Sequence, residues 1–267
     1  MILSGLPGGT HACFLDEGAR VDFQTAVLSL AFLLVAVVYA AVGQAGATGY
    51  IALMGVAGFA PLAMKTTALA LNLVVAAIGT AFFLRAGRLS WRNVWPFAVL
   101  GFPFSVLGGA VHLPEHVYFP VVGVVLIFSA LQMARTAVGR GSSDPETAVQ
   151  PPFAAALVTG AVIGFVSGTT GTGGGVFLAP VILSMNWGTA RQSAATTAVY
   201  NLINSAAALI GAYAGWDEIP RELPIWLVAV AAGGFAGAYV GSRFMSERWL
   251  RSILAILLLV AGVKLVF

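Results

Sequence analysis

Long, almost uncharged apolar runs recur along this chain, and their lengths carry more information than their faces. A bilayer core of roughly 30 Å needs about 20 apolar residues per helix. Laid over the sequence, that template predicts eight full-length helices, at residues 23–42, 66–84, 94–111, 117–137, 153–166, 196–214, 223–240 and 250–267. Two further apolar stretches, 47–61 and 174–187, are shorter, and each begins in a cluster of glycines. The expected fold class is an all-α polytopic membrane protein, with the two short glycine-led segments as candidate half-helices.

Polar positions divide the chain. Residues 139–152, with Ser142, Ser143, Asp144, Pro145 and Glu146, form a linker of soluble character between a first transmembrane repeat, 23–138, and a second, 153–267. The tail, residues 1–22, has no basic n-region and carries Asp16, Glu17 and Asp22, so it does not read as a cleaved signal peptide. The halves repeat the same order of features. A long apolar run leads into Gly43-Gln44-Ala45-Gly46-Ala47-Thr48-Gly49, a short segment, then Lys65-Thr66-Thr67-Ala68 and Asn72. Another leads into Gly168-Thr169-Thr170-Gly171-Thr172-Gly173-Gly174-Gly175, a short segment with Pro180, then Arg191, Thr196-Thr197-Ala198 and Asn201. Internal duplication explains this order.

Loop charge supplies orientation, because Lys and Arg near helix ends favour the cytoplasmic side. Arg85, Arg88 and Arg92 place one loop inside, Arg135 and Arg140 the linker, and Arg243, Arg248 and Arg251 a third loop. The loop carrying Asp217, Glu218, Arg221 and Glu222 is a poor cytoplasmic loop. If both short segments cross, each half has five crossings, corresponding loops fall on opposite sides, and both termini lie outside: an inverted-topology repeat. Re-entrant short segments would give four crossings per half and an acidic cytoplasmic loop.

Composition removes the soluble alternatives. The chain is 59% hydrophobic and 9% charged, whereas a soluble domain carries roughly 25% charged residues. The net charge of +3 comes from Arg and Lys placed singly or in small groups beside apolar runs, which is topology and not a nucleic-acid footprint. One cysteine, Cys13, and three histidines without ligand spacing leave no metal centre, and no cofactor is expected. Every Asp and Glu falls outside the middle of a predicted helix, so no carboxylate is placed for the usual proton relay or a charged sodium site. No Ser-His-Asp, Cys-His or paired-carboxylate arrangement supports an enzyme.

The glycine clusters are the candidate chemistry. Where glycines open a short helix at membrane depth, backbone N–H groups and the positive helix end face inward, which suits an anion. Gly46, Thr48 and Gly49 with Gly171, Thr172, Gly173, Gly174 and Gly175 are the candidate halves of one central site; the structural alternative is small-residue helix packing. Thr66, Thr67, Asn72, Thr196, Thr197, Asn201 and Asn204 add neutral donors, or interhelical glue. Lys65 and Arg191 either attract the anion or snorkel to the interface. The Gly-Thr-Gly-Gly-Gly string lacks the Walker lysine and a β-α-β context, which sets a nucleotide site aside.

These motifs resemble the TauE/SafE family of sulfite and organosulfonate exporters. Gly171-Thr172-Gly173-Gly174-Gly175 followed by Pro180, and Ala194-Ala195-Thr196-Thr197, carry the resemblance, with Gly46-Ala47-Thr48-Gly49 and Lys65-Thr66-Thr67 as its first-half version. It covers about residues 23–267; Thr48 and Tyr50 stand where the second half has Gly173 and Gly175. The resemblance implies a bacterial inner-membrane location and export of sulfite, sulfoacetate or a related sulfur oxyanion. The expected function is a secondary transporter of a small anion, with a channel-like anion pathway and a non-transporting scaffold as alternatives. Expected partners are the anion and the lipid bilayer, with a homodimer left open and no nucleic acid.

Overall fold

In the computed structural model the described residues are 10–41, 43–87, 89–138, 149–241 and 247–266. They form ten α-helices: α1 (Thr10–Ala41), α2 (Ala47–Ala57), α3 (Pro61–Arg85), α4 (Trp91–Ala110), α5 (Glu115–Val138), α6 (Phe153–Thr170), α7 (Gly175–Ser184), α8 (Ala190–Gly211), α9 (Leu223–Gly241) and α10 (Glu247–Val266), with a 3-10 turn at Tyr213–Glu218. Five are long and apolar enough to cross a membrane: Phe23–Ala41, Pro61–Arg85, Trp91–Ala110, Glu115–Gln132 and Phe153–Thr170. The chain is a multi-pass helical membrane protein.

All ten expected segments are helices, with boundaries moved for local reasons. Helix α1 begins at Thr10, inside the stretch expected as a tail. Pro61, expected to close the first short segment, opens α3 instead, where its missing N–H costs nothing. Lys65 therefore lies inside a helix. Helix α8 starts at a capping box in which Thr189 and Gln192 exchange hydrogen bonds. Most of the central linker lies outside the described residues.

Helix α2 has 11 residues and α7 has 10. At 1.5 Å per residue neither exceeds about 17 Å, half a bilayer core. Around them, α4 packs on α6, α1 on α9 and α5 on α10, and α8 lies against both α3 and α4. Lipid tails offer no hydrophobic drive for these contacts, so close backbone approach supplies the packing. A Cβ on Gly160 or Gly164 would strike the carbonyl of Phe97 or Gly101 in α4, and one on Gly233 or Gly237 the carbonyl of Leu33 or Val37 in α1.

The contacts also give relative direction. Along α4 and α8, Gly101 meets Tyr200, the Ser105 hydroxyl donates to the Asn204 carbonyl, and Gly109 meets Ala208, so the two helices run parallel. Along α3 and α8, Asn72 meets Asn201 while Thr66 meets Gly215 just beyond α8, so these two are antiparallel.

Candidate functional site

The two short helices begin in the same way. Gly46 precedes α2 with φ 96°, Gly174 precedes α7 with φ 79°, and neither supplies a side-chain cap. A residue with a Cβ adopts that left-handed turn only at a cost, so glycine is what lets the chain reverse into a helix here. A helix start leaves N–H groups without intrahelical partners, and at buried residues those groups need partners from elsewhere.

Their fates differ. The Ala47 N–H donates to Asn72 Oδ1 at 2.9 Å, so the start of α2 is partly closed by a side chain. At α7, Phe177 and Leu178 donate to the Gly174 carbonyl, while the preceding backbone N–H groups at 173–176 have no hydrogen-bond partner among the described residues. All four residues are buried. Unpaired buried N–H groups are rare, and this run begins on two left-handed glycines, Gly173 and Gly174, a backbone arrangement of the kind that can take an anion.

Side chains close around that run. Asn72 Nδ2 donates to Asn201 Oδ1 at 3.1 Å and to Ser205 Oγ at 2.8 Å. Gly173 lies against this triad: a Cβ there would come within 2.6 Å of Asn201 Oδ1 and would strike Asn72 Nδ2. Asn204 Nδ2 donates to Ser167 Oγ at 2.6 Å beside Gly174. Tyr200 donates to the Gly160 carbonyl at 2.8 Å, fixing the adjoining wall. Several buried polar atoms lack partners among the described residues: Thr67 Oγ1, Thr197 Oγ1, Asn204 Oδ1, Gln44 Oε1 and Tyr50 OH. A Cβ placed on Gly175 would lie 3.3 Å from the Thr197 methyl, so Thr197 flanks the start of α7.

A family model described as "Sulfite exporter TauE/SafE" matches residues 28–265. The chain belongs to the sulfite exporter TauE/SafE family. It is 64% identical over 247 residues to a "Probable membrane transporter protein y4hK" of Sinorhizobium fredii (strain NBRC 101917 / NGR234), a match covering 92% of this chain and 100% of the relative. No solved structure matches it. The protein is a membrane transporter.

Within this TauE/SafE member the expected site residues separate into groups. Asn72, Asn201, Gly173, Gly174, Gly175 and Thr197 come together at the start of α7. Gly46 lies at the start of α2, which Asn72 ties to the same cluster through Ala47. Thr67 and Thr196 are buried on α3 and α8. Thr48 instead pairs with Tyr39 OH at 2.8 Å, and Gly49 packs on Val35 and Tyr39, so both serve the α1–α2 contact. Thr66 bonds back to the Leu62 carbonyl at 2.9 Å. Thr172 pairs with Thr170 at 3.0 Å. The side chain of Arg191 lies outside those described.

Lys65 is engaged at the end of α4. Its ammonium donates to the carbonyls of Gly108 (3.2 Å), Gly109 (2.7 Å) and Val111 (2.9 Å), capping the C-terminus of α4. The Gly108 carbonyl also accepts from the Val111 N–H at 3.2 Å; carbonyls at a helix end lack intrahelical donors, and a cation there is favoured by the helix dipole. Gly171 packs on the Lys65 backbone and side chain, 3.0 Å from its Cα to a Cβ placed on the glycine. Sequence reasoning missed Ser205, Ser167, Ser105 and Tyr200; the spacing of Asn201, Asn204 and Ser205 along one helix was the available signal.

Proposed function

We propose that this transporter exports a small sulfur oxyanion, such as sulfite or an organosulfonate like sulfoacetate, across a bacterial inner membrane as a secondary carrier. The observation that carries the reading is the run of four N–H groups on the buried residues 173–176, without partners among the described residues. An oxyanion presents several acceptor oxygens to such a run and brings no donor that would compete for them. The orphaned Thr197 hydroxyl supplies a further donor, and among the residues whose burial is described no carboxylate is buried to oppose the anion.

The same reading takes the fold as two inverted halves of five segments, residues 23–138 and 153–267. The parallel α4 and α8 support it. Between them the chain reverses at each of the helices α5, α6 and α7, and the two run the same way only when α7 counts as a crossing. The antiparallel α3 and α8, equivalent in the two halves, agree. On this reading the loop arginines favour the cytoplasmic side for the Arg85 end of α3 and the outside for its Pro61 end. An anion leaving a cell that is negative inside gains about 2.3 kcal/mol per charge per 100 mV, which drives export without a coupling carboxylate.

Thermal-shift measurements of the purified protein against sulfite, sulfoacetate, taurine, thiosulfate and sulfate test the substrate class. The reading expects an oxyanion from this panel to raise the melting temperature, and Thr197→Val to reduce that rise. Stabilisation by none of them overturns it. Saturation and counterflow in flux assays separate a carrier from a channel.

A further inference from the structure

Away from the α7 start, a cleft of ≈ 270 Å³ opens at the end of the fold where α3 begins and α4 finishes. Lys65, Tyr118 and Thr169 line it together with His112, Glu115 and Glu218. Lys65 is 2% exposed, whereas Glu115 and Glu218 are exposed. The cleft thus has a buried cation on its floor and two carboxylates at its rim.

The floor adjoins the oxyanion cluster. Tyr118 donates to the Thr170 carbonyl at 3.0 Å, Gly171 rests on Lys65, and the chain passes directly from Thr169 on the floor to Gly173 in the cluster. The three bonds that Lys65 donates are to neutral carbonyls, and it forms no ion pair among the described residues, so its charge is not cancelled locally. Water screens the rim carboxylates, and screening of a buried charge is much weaker.

We propose that this cleft is a second anion station, a vestibule for a small oxyanion between the 173–176 amides and the extracytoplasmic face, with Lys65 as its attracting charge and Glu115 and Glu218 as a rim that slows re-entry. It rests on the anion-export reading above. Lys65 acts through its field while still holding the end of α4, and the rim carboxylates lower the local concentration of external anions.

Thiol modification in zwitterionic lipid nanodiscs tests the potential in the cleft without requiring transport. Cys13 is the sole cysteine, so Thr169→Cys in a Cys13→Ser background gives one reporter on the floor. A sulfonate-bearing methanethiosulfonate should react at least about tenfold faster, relative to a trimethylammonium-bearing one, than the same pair does with a free thiol in solution. Lys65→Gln should bring that preference close to one, Lys65→Arg should keep it, Glu115→Gln/Glu218→Gln should raise it, and 1 M salt should compress the rim effect. Sulfate should protect the thiol. The rim double variant alters only exposed side chains and gives a reading even if Lys65→Gln does not fold. Equal rates for the two reagents, unchanged by the rim variant, overturn the vestibule. Anion preference in a protein that shows no flux counts against the export reading, whereas flux with no preference counts against the vestibule.

Discussion

The side-chain amides of Asn72 and Asn201, one from each half of the chain, meet at 3.1 Å. Asn72 also accepts from the Ala47 N–H at the start of α2 and donates to Ser205. One side chain therefore ties a short helix of the first half to a long helix of the second. Asn72→Ala leaves the Ala47 N–H and Asn201 Oδ1 unpaired, and each buried orphan costs about 1–3 kcal/mol. In membranes the realised loss is smaller, so we expect about 1–3 kcal/mol in all. Thermal unfolding in detergent, with Asn201→Ala and the double variant completing a cycle, should return a coupling near 1 kcal/mol, about the size of interhelical hydrogen bonds in bilayers.

Gly173 and Gly43 separate conformational strain from steric exclusion. Both have positive φ, 76° and 78°. A Cβ on Gly43 meets only Ala194 at 3.7 Å, whereas one on Gly173 strikes the Asn72 amide. Gly43→Ala should cost about 1 kcal/mol of strain and leave oxyanion binding intact. Gly173→Ala should abolish binding, read by thermal shift, and destabilise the fold further.

The hydroxyls of Thr197 and Thr66 differ in what they have to lose. Thr197 Oγ1 is buried without a partner, whereas Thr66 bonds to its own helix. Thr197→Val should leave the unliganded melting temperature unchanged or raised, and weaken oxyanion affinity about tenfold, the loss of one hydrogen bond to a charged ligand. Thr66→Val should leave affinity unchanged. Equal effects of the two on affinity would remove Thr197 from the site.

The α4–α6 contact depends on backbone approach. Gly160→Leu drives a side chain into the Phe97 carbonyl. The helices must separate by more than a methyl width, so the cost should exceed about 3 kcal/mol. Loss of monodisperse protein in size-exclusion chromatography is the expected readout, with the exposed Val158→Leu as a neutral control.

Much of this fold is legible in the sequence because membrane spans are set by length and charge, which a single chain displays. All ten segments emerge from apolar runs, and the glycine clusters mark the starts of the two short helices. Boundaries fail where a local rule competes with hydropathy: Pro61 reads as the end of an apolar run and acts as the first residue of α3. The roles of the polar residues are less legible. Lys65 and Thr48 carry groups suited to an anion, yet their partners are α4 carbonyls and Tyr39, far away in sequence. The asymmetry between the two glycine loops is tertiary as well: Asn72 reaches the Ala47 N–H, and no side chain caps α7.

If an oxyanion held on the 173–176 amides leaves the cell down the membrane potential, sulfite efflux from proteoliposomes must respond to a potential clamped by potassium and valinomycin. Efflux should be saturable, accelerate as the loaded side is made more negative, and slow at subsaturating sulfite in Thr197→Val. Sulfite flux no faster than in protein-free liposomes, or flux indifferent to the clamped potential, would contradict it.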